Sequence, residues 1–361
     1  MRSIEKSTVP PPVSDWTWGV DTVRVVVPVD LQQCDASSPL WHSSSSRNLR
    51  NSITEADSFK GSHFIETPHG TVKIKVYLYT GSETCHIEFT APRLVSAHPP
   101  DLLPAGALKA LVRGVIDDLR DAIWPAFAEV TEDGEIRWTD DWATNVRVKR
   151  LDLARNFLIV DPDIVKAALD SVQSRHQRER VRYGSKRSGW TITNQTTTAG
   201  QDKMYDKQAE LEGKHDTNLT SVDGLFRFET QIEGDRLRRL GVQRLSNIDE
   251  HTAWDALSHR WEQTRWGSPL PSPDGLLQAV QRLPIRKQCT LVGYLHFAAE
   301  GMTGRLSESQ QRTLRAQAKT CGLTPGMPVH LMGTPSKRLD LYSGTLVPVS
   351  EQESLAASIP V

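Results

Sequence analysis

The 361 residues carry 43 Lys and Arg against 44 Asp and Glu, a net charge of −1. That length holds one large or two medium domains, and near neutrality excludes a chain-wide field that gathers nucleic acid, so any basic surface is local. Cys34, Cys85, Cys289 and Cys321 are scattered with no C-x-x-C spacing, against zinc or a disulfide framework, and no stretch reaches membrane-spanning length, so the chain reads as cytoplasmic with no membrane partner.

In chain order, residues 1–15 are Ser/Pro-rich and read as a flexible N-terminus. A strand at 20–29 leads to a Ser-rich loop at 36–46. Strands follow near 62–67, 71–80 and 84–90, with Pro68-His69-Gly70 as a turn. Leu108, Leu111, Val112, Val115, Ile116, Leu119 and Ile123 mark one face of a helix that stops before Pro125. Arg150 to Val160 alternates as a strand: Leu151, Leu153, Phe157 and Ile159 on the apolar side, Arg155 the exception, and Arg150, Asp152 and Asn156 on the polar side. Asp161-Pro162 caps a second helix with Ile164, Val165, Ala168, Leu169 and Val172 inward. Phe226, Phe228 and Ile232 form the core side of a later strand, with Arg227, Glu229 and Gln231 opposite.

This is an α+β pattern: an antiparallel sheet with helices on one face, the other face open and suited to a DNA groove, followed by a smaller, mostly helical C-terminal region. A catalytic domain is expected at 16–245 and a helical, accessory DNA-binding region at 246–348, with a flexible tail at 349–361. In the accessory region Trp254, Leu257 and Trp261 are helix-spaced, Gly267 to Asp274 is a linker, and Ser272-Pro273 opens a helix. Ser307-x-x-Gln310 is a capping box for a helix ending near Gly322. Most tryptophans stand near element ends, as packing anchors do.

The segment that carries chemistry is Lys203-Met204-Tyr205-Asp206-Lys207. Read as a strand, it puts Lys203, Tyr205 and Lys207 on one face. A phenol among cations is a nucleophile suited to phosphate, since the cations favour phenolate and neutralise the phosphodiester. If the Asp152 and Glu229 strands neighbour it, one sheet face gathers two carboxylates, a tyrosine, lysines and arginines. Two carboxylates with a few waters suit Mg²⁺ or Mn²⁺. On periodicity alone the commoner reading is a solvated sheet face with cross-strand ion pairs.

Four pieces in order resemble the rolling-circle replication initiators of filamentous phages and small plasmids, the gene II/X type and the related replication initiation factors. They are Val20-Asp21-Thr22, Val148-Lys149-Arg150-Leu151-Asp152-Leu153, Met204-Tyr205-Asp206-Lys207-Gln208-Ala209-Glu210-Leu211, and Phe226-Arg227-Phe228-Glu229 followed by Leu237-Arg238-Arg239-Leu240-Gly241. The Thr/Asn/Gln-rich run from Gly189 to Gly200 departs from the apolar strand usual before the tyrosine. The 11 histidines never fall two apart, so the His-hydrophobic-His pair of another nickase class is missing.

The resemblance implies metal-dependent, origin-specific DNA nicking, leaving a 3′-OH primer. Tyr205 would be the nucleophile and Lys207 the phosphate clamp, helped by Lys203 or Arg227. Asp152 and Glu229 would hold Mg²⁺ or Mn²⁺. The partners implied are a replication origin, single-stranded or as a hairpin, and the host polymerase and helicase. A second strand transfer is left open between Tyr183, water, and the Tyr205 of a second subunit in a homodimer. Between Arg147 and Trp190 eleven cations face five acids. Arg175, Arg178, Arg180, Arg182, Lys186 and Arg187, with Arg150, are the candidate phosphate contacts. A relaxase of a mobile element would use the same site, whereas a non-catalytic DNA-binding repressor would not need Tyr205 to meet the carboxylates.

Overall fold

The computed structural model describes residues 17–35, 38, 40, 58–68, 70–96, 101–132, 136–159, 180–185, 189–196, 200–213, 224–264, 280–281, 283–299, 306–321 and 337–348. The expected N-terminus at 1–15, most of the loop at 36–46, the helix after Asp161, the linker at 267–274, the helix start at Ser272 and the tail at 349–361 lie outside the described residues.

The architecture is α+β. The strands β1 (Trp18–Pro28), β2 (Ser58–Thr67), β3 (Gly70–Tyr79), β4 (Thr84–Thr90), β5 (Ala128–Val130), β6 (Ile136–Trp138), β7 (Arg147–Leu158), β8 (Arg180–Ser185), β9 (Gly189–Thr196), β10 (Gly200–Asp206) and β11 (Leu225–Glu233) are followed by a hairpin of β12 (Lys337–Asp340) and β13 (Thr345–Pro348). Nine of them form one antiparallel sheet in the order β2-β3-β4-β1-β7-β11-β10-β9-β8. The described helices are α1 (Leu108–Asp118), α2 (Trp142–Asn145), α3 (Lys207–Gly213), α4 (Asp235–Arg239), α5 (Glu250–Thr264), α6 (Ile285–Ala299) and α7 (Glu308–Thr320).

One sheet face is apolar because each strand alternates. Val23, Val25, Ile74, Ile87, Leu151, Leu153, Phe226 and Phe228 all point to it and share one core with Val112 and Ile116 of α1 and Trp254, Leu257 and Trp261 of α5. Trp261 stacks on Phe157 at 5.3 Å and meets Phe228 edge-on at 5.2 Å, which fixes α5 under β7 and β11. Helix α1 ends at Asp118, earlier than its apolar stripe suggests. Ile123 stays buried through a turn in which its N–H bonds Leu119 O.

Arg155, the exception on the apolar side of β7, is buried there and donates to Tyr342 O at 2.5 Å, tying the β12–β13 hairpin to the main core; its burial pulls the guanidinium down to about 10. Asp202 of β10 also faces the helices. It accepts from Thr230 at 2.7 Å and from Arg260 of α5, whose Nε lies at 3.2 Å. With Asp202 and Met204 buried on the helix side, Lys203 and Tyr205 must lie on the other face. Gly200, at φ +124°, starts β10 where a Cβ would stand 1.8 Å from Gln231 O, so this entry needs glycine.

The Thr/Asn/Gln-rich run is a strand after all. β9 pairs with β10 from Thr191 to Thr196, so backbone pairing overrides its polar composition. A second, smaller apolar cluster joins Val280, Leu291, Tyr294, Leu295 and Ala318 around α6 and α7. The capping box of α7 forms as read: Ser307 N–H donates to Gln310 Oε1 at 2.9 Å, and Gln310 N–H to Ser307 Oγ at 3.3 Å. Among the described residues no helix is long and apolar enough to cross a membrane.

Candidate active site

The pairing register assembles the site. β7 and β11 place Asp152 opposite Gln231 and Ala154 opposite Glu229, so the two carboxylates are diagonal neighbours on one face. β11 and β10 place Glu229 opposite Lys203 and Arg227 opposite Tyr205. Asp152, Glu229, Lys203, Tyr205, Arg227 and Arg150 thus come together on the face away from the helices. At this point the face is closed: Asp152, Tyr205, Arg227 and Glu229 are all buried. The long side chains of Arg150 and Lys203 lie over the acids they neutralise.

The Tyr205 hydroxyl donates to Glu229 Oε2 at 3.0 Å, and Lys203 Nζ donates to Glu229 Oε1 at 3.0 Å. Arg150 grips Asp152 with both arms, Nε at 2.9 Å from Oδ1 and Nη2 on Oδ2. Burial, with Glu229 adding to it, holds the Tyr205 hydroxyl well above the ordinary phenol range. This overturns the expectation that neighbouring cations favour phenolate: the nearest charge is a carboxylate, and the phenol keeps its proton. Burial lowers the Lys203 ammonium, but Glu229 more than offsets it and the net shift is upward.

Lys207 corrects a second expectation. It does not continue the strand. Asp206 ends β10 and caps α3 by accepting Ala209 N–H at 2.9 Å, and Lys207 opens the helix. Its ammonium nevertheless stays beside Tyr205, 5.7 Å from the ring centroid, and donates to Glu210 at 2.7 Å. Burial, then the Arg227 charge, pull it down to about 8.

Asp21 is a site residue to which the sequence reading gave no role. The ladder between β1 and β7 runs Val20↔Leu153 and then Thr22↔Asp152, leaving Asp21 as an extra, bulged residue. The bulge turns its carboxylate to the polar face, where Arg227 Nη1 donates to it at 2.9 Å; Arg227 Nε donates to Asn156 at 2.8 Å. The signal was present in Val20-Asp21-Thr22, where two polar residues in succession break the alternation of an otherwise apolar strand.

Among the described residues no three His, Cys, Asp or Glu side chains are grouped as a metal site. The donor chemistry of two carboxylates still fits a hard divalent cation that is completed by water and phosphate. Burial first, then Glu229 and Asp21, push the Asp152 carboxyl up to about 7 despite Arg150.

Arg180 and Arg182 lie on the edge strand β8, whose backbone pairs with β9; their side chains, and Arg175, Arg178, Lys186 and Arg187 altogether, fall outside the described residues. No curated protein matches the chain. The family model for the N-terminal region of a phage replication-associated protein matches residues 114–256, the stretch holding the Asp152, Tyr205 and Glu229 strands. With four motifs in order and this match over the strands that carry three of them, the comparison supports a phage replication initiator family for this chain.

Proposed function

We propose that the chain initiates rolling-circle replication by nicking DNA at an origin through Tyr205. The observation that carries this reading is the hydrogen bond from the Tyr205 hydroxyl to Glu229 Oε2, which joins the family's tyrosine to one of its acids. A non-catalytic DNA-binding repressor does not need Tyr205 to meet the carboxylates.

In the proposed reaction Tyr205 Oη attacks the scissile phosphorus. The Oη–P bond forms, the P–O3′ bond breaks, and the products are a 5′-phosphotyrosine and a 3′-OH that primes synthesis. The phenol proton passes to Glu229 Oε2, and the departing 3′ oxygen takes a proton from water. Lys207 and Lys203 bear on the phosphate and offset the charge that grows in the transition state. Asp152 and Glu229 would hold Mg²⁺ or Mn²⁺, which when bound supplies positive charge to a non-bridging phosphate oxygen. Arg227, locked between Asp21 and Asn156, sets the floor of the site opposite Tyr205. Arg175, Arg178, Arg180, Arg182, Lys186 and Arg187 would contact backbone phosphates. Replacing Arg178, Arg180 and Arg182 with Ala would then flatten the log–log dependence of affinity on salt by about 0.7–0.9 per lost contact.

The test is incubation with supercoiled plasmid bearing the cognate origin, with Mn²⁺. Open-circular DNA with covalently attached protein supports the reading. Intact supercoils under conditions of stoichiometric binding contradict it.

A further inference from the structure

Away from the tyrosine, toward the β2 edge, the polar face changes character. On β3 the residues Lys73, Lys75, Tyr77 and Tyr79 share that face, and on β2 Lys60 and Phe64 join them across the register Lys60↔Tyr77 and Phe64↔Lys73. Each of these two cross-strand pairs sets a lysine against an aromatic ring: Lys60 Nζ lies 5.5 Å from the Tyr77 centroid and Lys73 Nζ 5.9 Å from that of Phe64. Phe64 is 55% exposed and Tyr79 37%, and Tyr77 is half-buried between them. A single exposed aromatic is ordinary, but three solvent-reaching rings on two adjacent strands, interleaved with three lysines, are not.

The local charge is positive. Glu88 of β4, the nearest buried acid, is neutralised from both sides by Lys75 at 2.9 Å and by Arg24. The same row continues inward: Ser62, Lys75, Glu88, Arg24 and Arg150 are successive cross-strand partners, and Arg150 ends it on Asp152. Charged side chains therefore run without a break from the aromatic patch to the candidate active site. From β3 to β10 is five strand steps, about 24 Å at ~4.8 Å per step, or about seven nucleotides at a stacked spacing of ~3.4 Å.

We infer that the outer half of the polar face, centred on Phe64, Tyr77 and Tyr79 with Lys60, Lys73 and Lys75, is a stacking platform for single-stranded DNA. This rests on the nicking reading for its choice of DNA, and it adds a second contact region remote from the reacting phosphate. Bases stack on the rings, and the lysines that now stand over those rings turn to the phosphates. A ring offers a face to any base, so this platform holds the strand without reading sequence, leaving origin choice to other parts of the chain.

The experiment uses the full chain and fluorescein-labelled oligo(dT) of 4 and 15 nucleotides, followed by fluorescence anisotropy, with adduct formation on an origin oligonucleotide measured in parallel. Phe64→Ala and Tyr77→Ala are each expected to weaken binding of the 15-mer by roughly 5- to 150-fold, with the folded state checked by circular dichroism. Lys60→Ala with Lys73→Ala should flatten its salt dependence. The 4-mer, too short to join the platform to the candidate active site, should bind more weakly than the 15-mer. As a check that needs no variant, a 15-mer carrying 5-iododeoxyuridine should crosslink to peptides containing residue 64, 77 or 79. Unchanged affinity in the aromatic variants together with crosslinks elsewhere overturns the platform, and so does a preference for duplex over the single strand. Adduct formation by the wild type in that case leaves the nicking reading standing. Platform binding with no adduct on any origin substrate sinks the nicking reading and keeps the platform.

Discussion

Tyr205 and Glu229 sit on neighbouring antiparallel strands, and the phenol hydroxyl donates to Glu229 Oε2 at 3.0 Å. The tyrosine is therefore held as a phenol against a carboxylate, the group proposed to take its proton, and not as a phenolate among cations. The energetic logic is common in buried sites: desolvation, then Glu229, penalise the anion more than the Arg227 charge favours it, so in the proposed reaction the proton leaves as attack occurs.

Asp152 is expected to be a stability liability once pH rises through about 7. Its carboxyl is buried and raised to about 7 in the fold, against an ordinary 3.8. The native state thus binds this proton more tightly than the unfolded chain, and the stabilisation is complete below the unfolded value and lost as pH rises through about 7. Asp152→Asn mimics the neutral acid. In EDTA at pH 8 it should raise stability on the order of 2 kcal/mol, with the difference shrinking toward pH 4. Mn²⁺ should raise the Tm of the wild type but not of the variant, and nicking should be lost with DNA binding retained. A variant that nicks at the wild-type rate would remove Asp152 from the site.

The bulged Asp21 should matter to folding and to the site together. Arg227 has no exposure of its own, and Asp21 gives it a carboxylate partner at 2.9 Å. Asp21→Ala leaves that guanidinium held by Asn156 and the field of Glu229, and should cost about 3 kcal/mol in denaturant melts. Adding Arg227→Met should recover part of the loss, since the guanidinium charge is then gone. A loss under about 0.5 kcal/mol would mean that Arg227 does not depend on Asp21.

Lys207 gives a pH signature. Burial and Arg227 bring its ammonium down to about 8, so the charge proposed to hold the phosphate is present below that value and lost above it. Single-turnover adduct formation should fall as pH rises past 8, or somewhat higher once phosphate is bound. Lys207→Arg, whose guanidinium stays charged, should push the fall to higher pH at a lower plateau rate. An unshifted profile would assign the fall to another group.

Much of this was legible in the sequence because strands alternate. Leu151, Leu153 and Phe157 against Asp152 and Asn156, and Phe226 and Phe228 against Arg227 and Glu229, fix which face each residue joins, and the short motifs supply the neighbourhood of the strands. What escaped depended on pairing. Asp21 reaches the site through a bulge that appears only when β1 and β7 are laid side by side. Lys207 left the strand because Asp206 is a better helix cap than a strand residue, a competition between two local structures in one tripeptide. The strand at Gly189–Thr196 is polar in composition and is held by its ladder to β10. The sense of the tyrosine's pKa needed burial, which alternation does not report.

The most direct measurement is the identity of the residue that carries DNA. The full chain is incubated with an origin-bearing oligonucleotide and Mn²⁺, the covalent complex is digested, and the nucleotide-bearing peptide is sequenced by mass spectrometry. A phosphotyrosyl peptide containing Tyr205 is expected, and no complex at all from Tyr205→Phe, which keeps the ring but lacks the attacking oxygen. A phosphotyrosyl peptide at Tyr183, Tyr294 or Tyr342, or an undiminished complex from Tyr205→Phe, would contradict it.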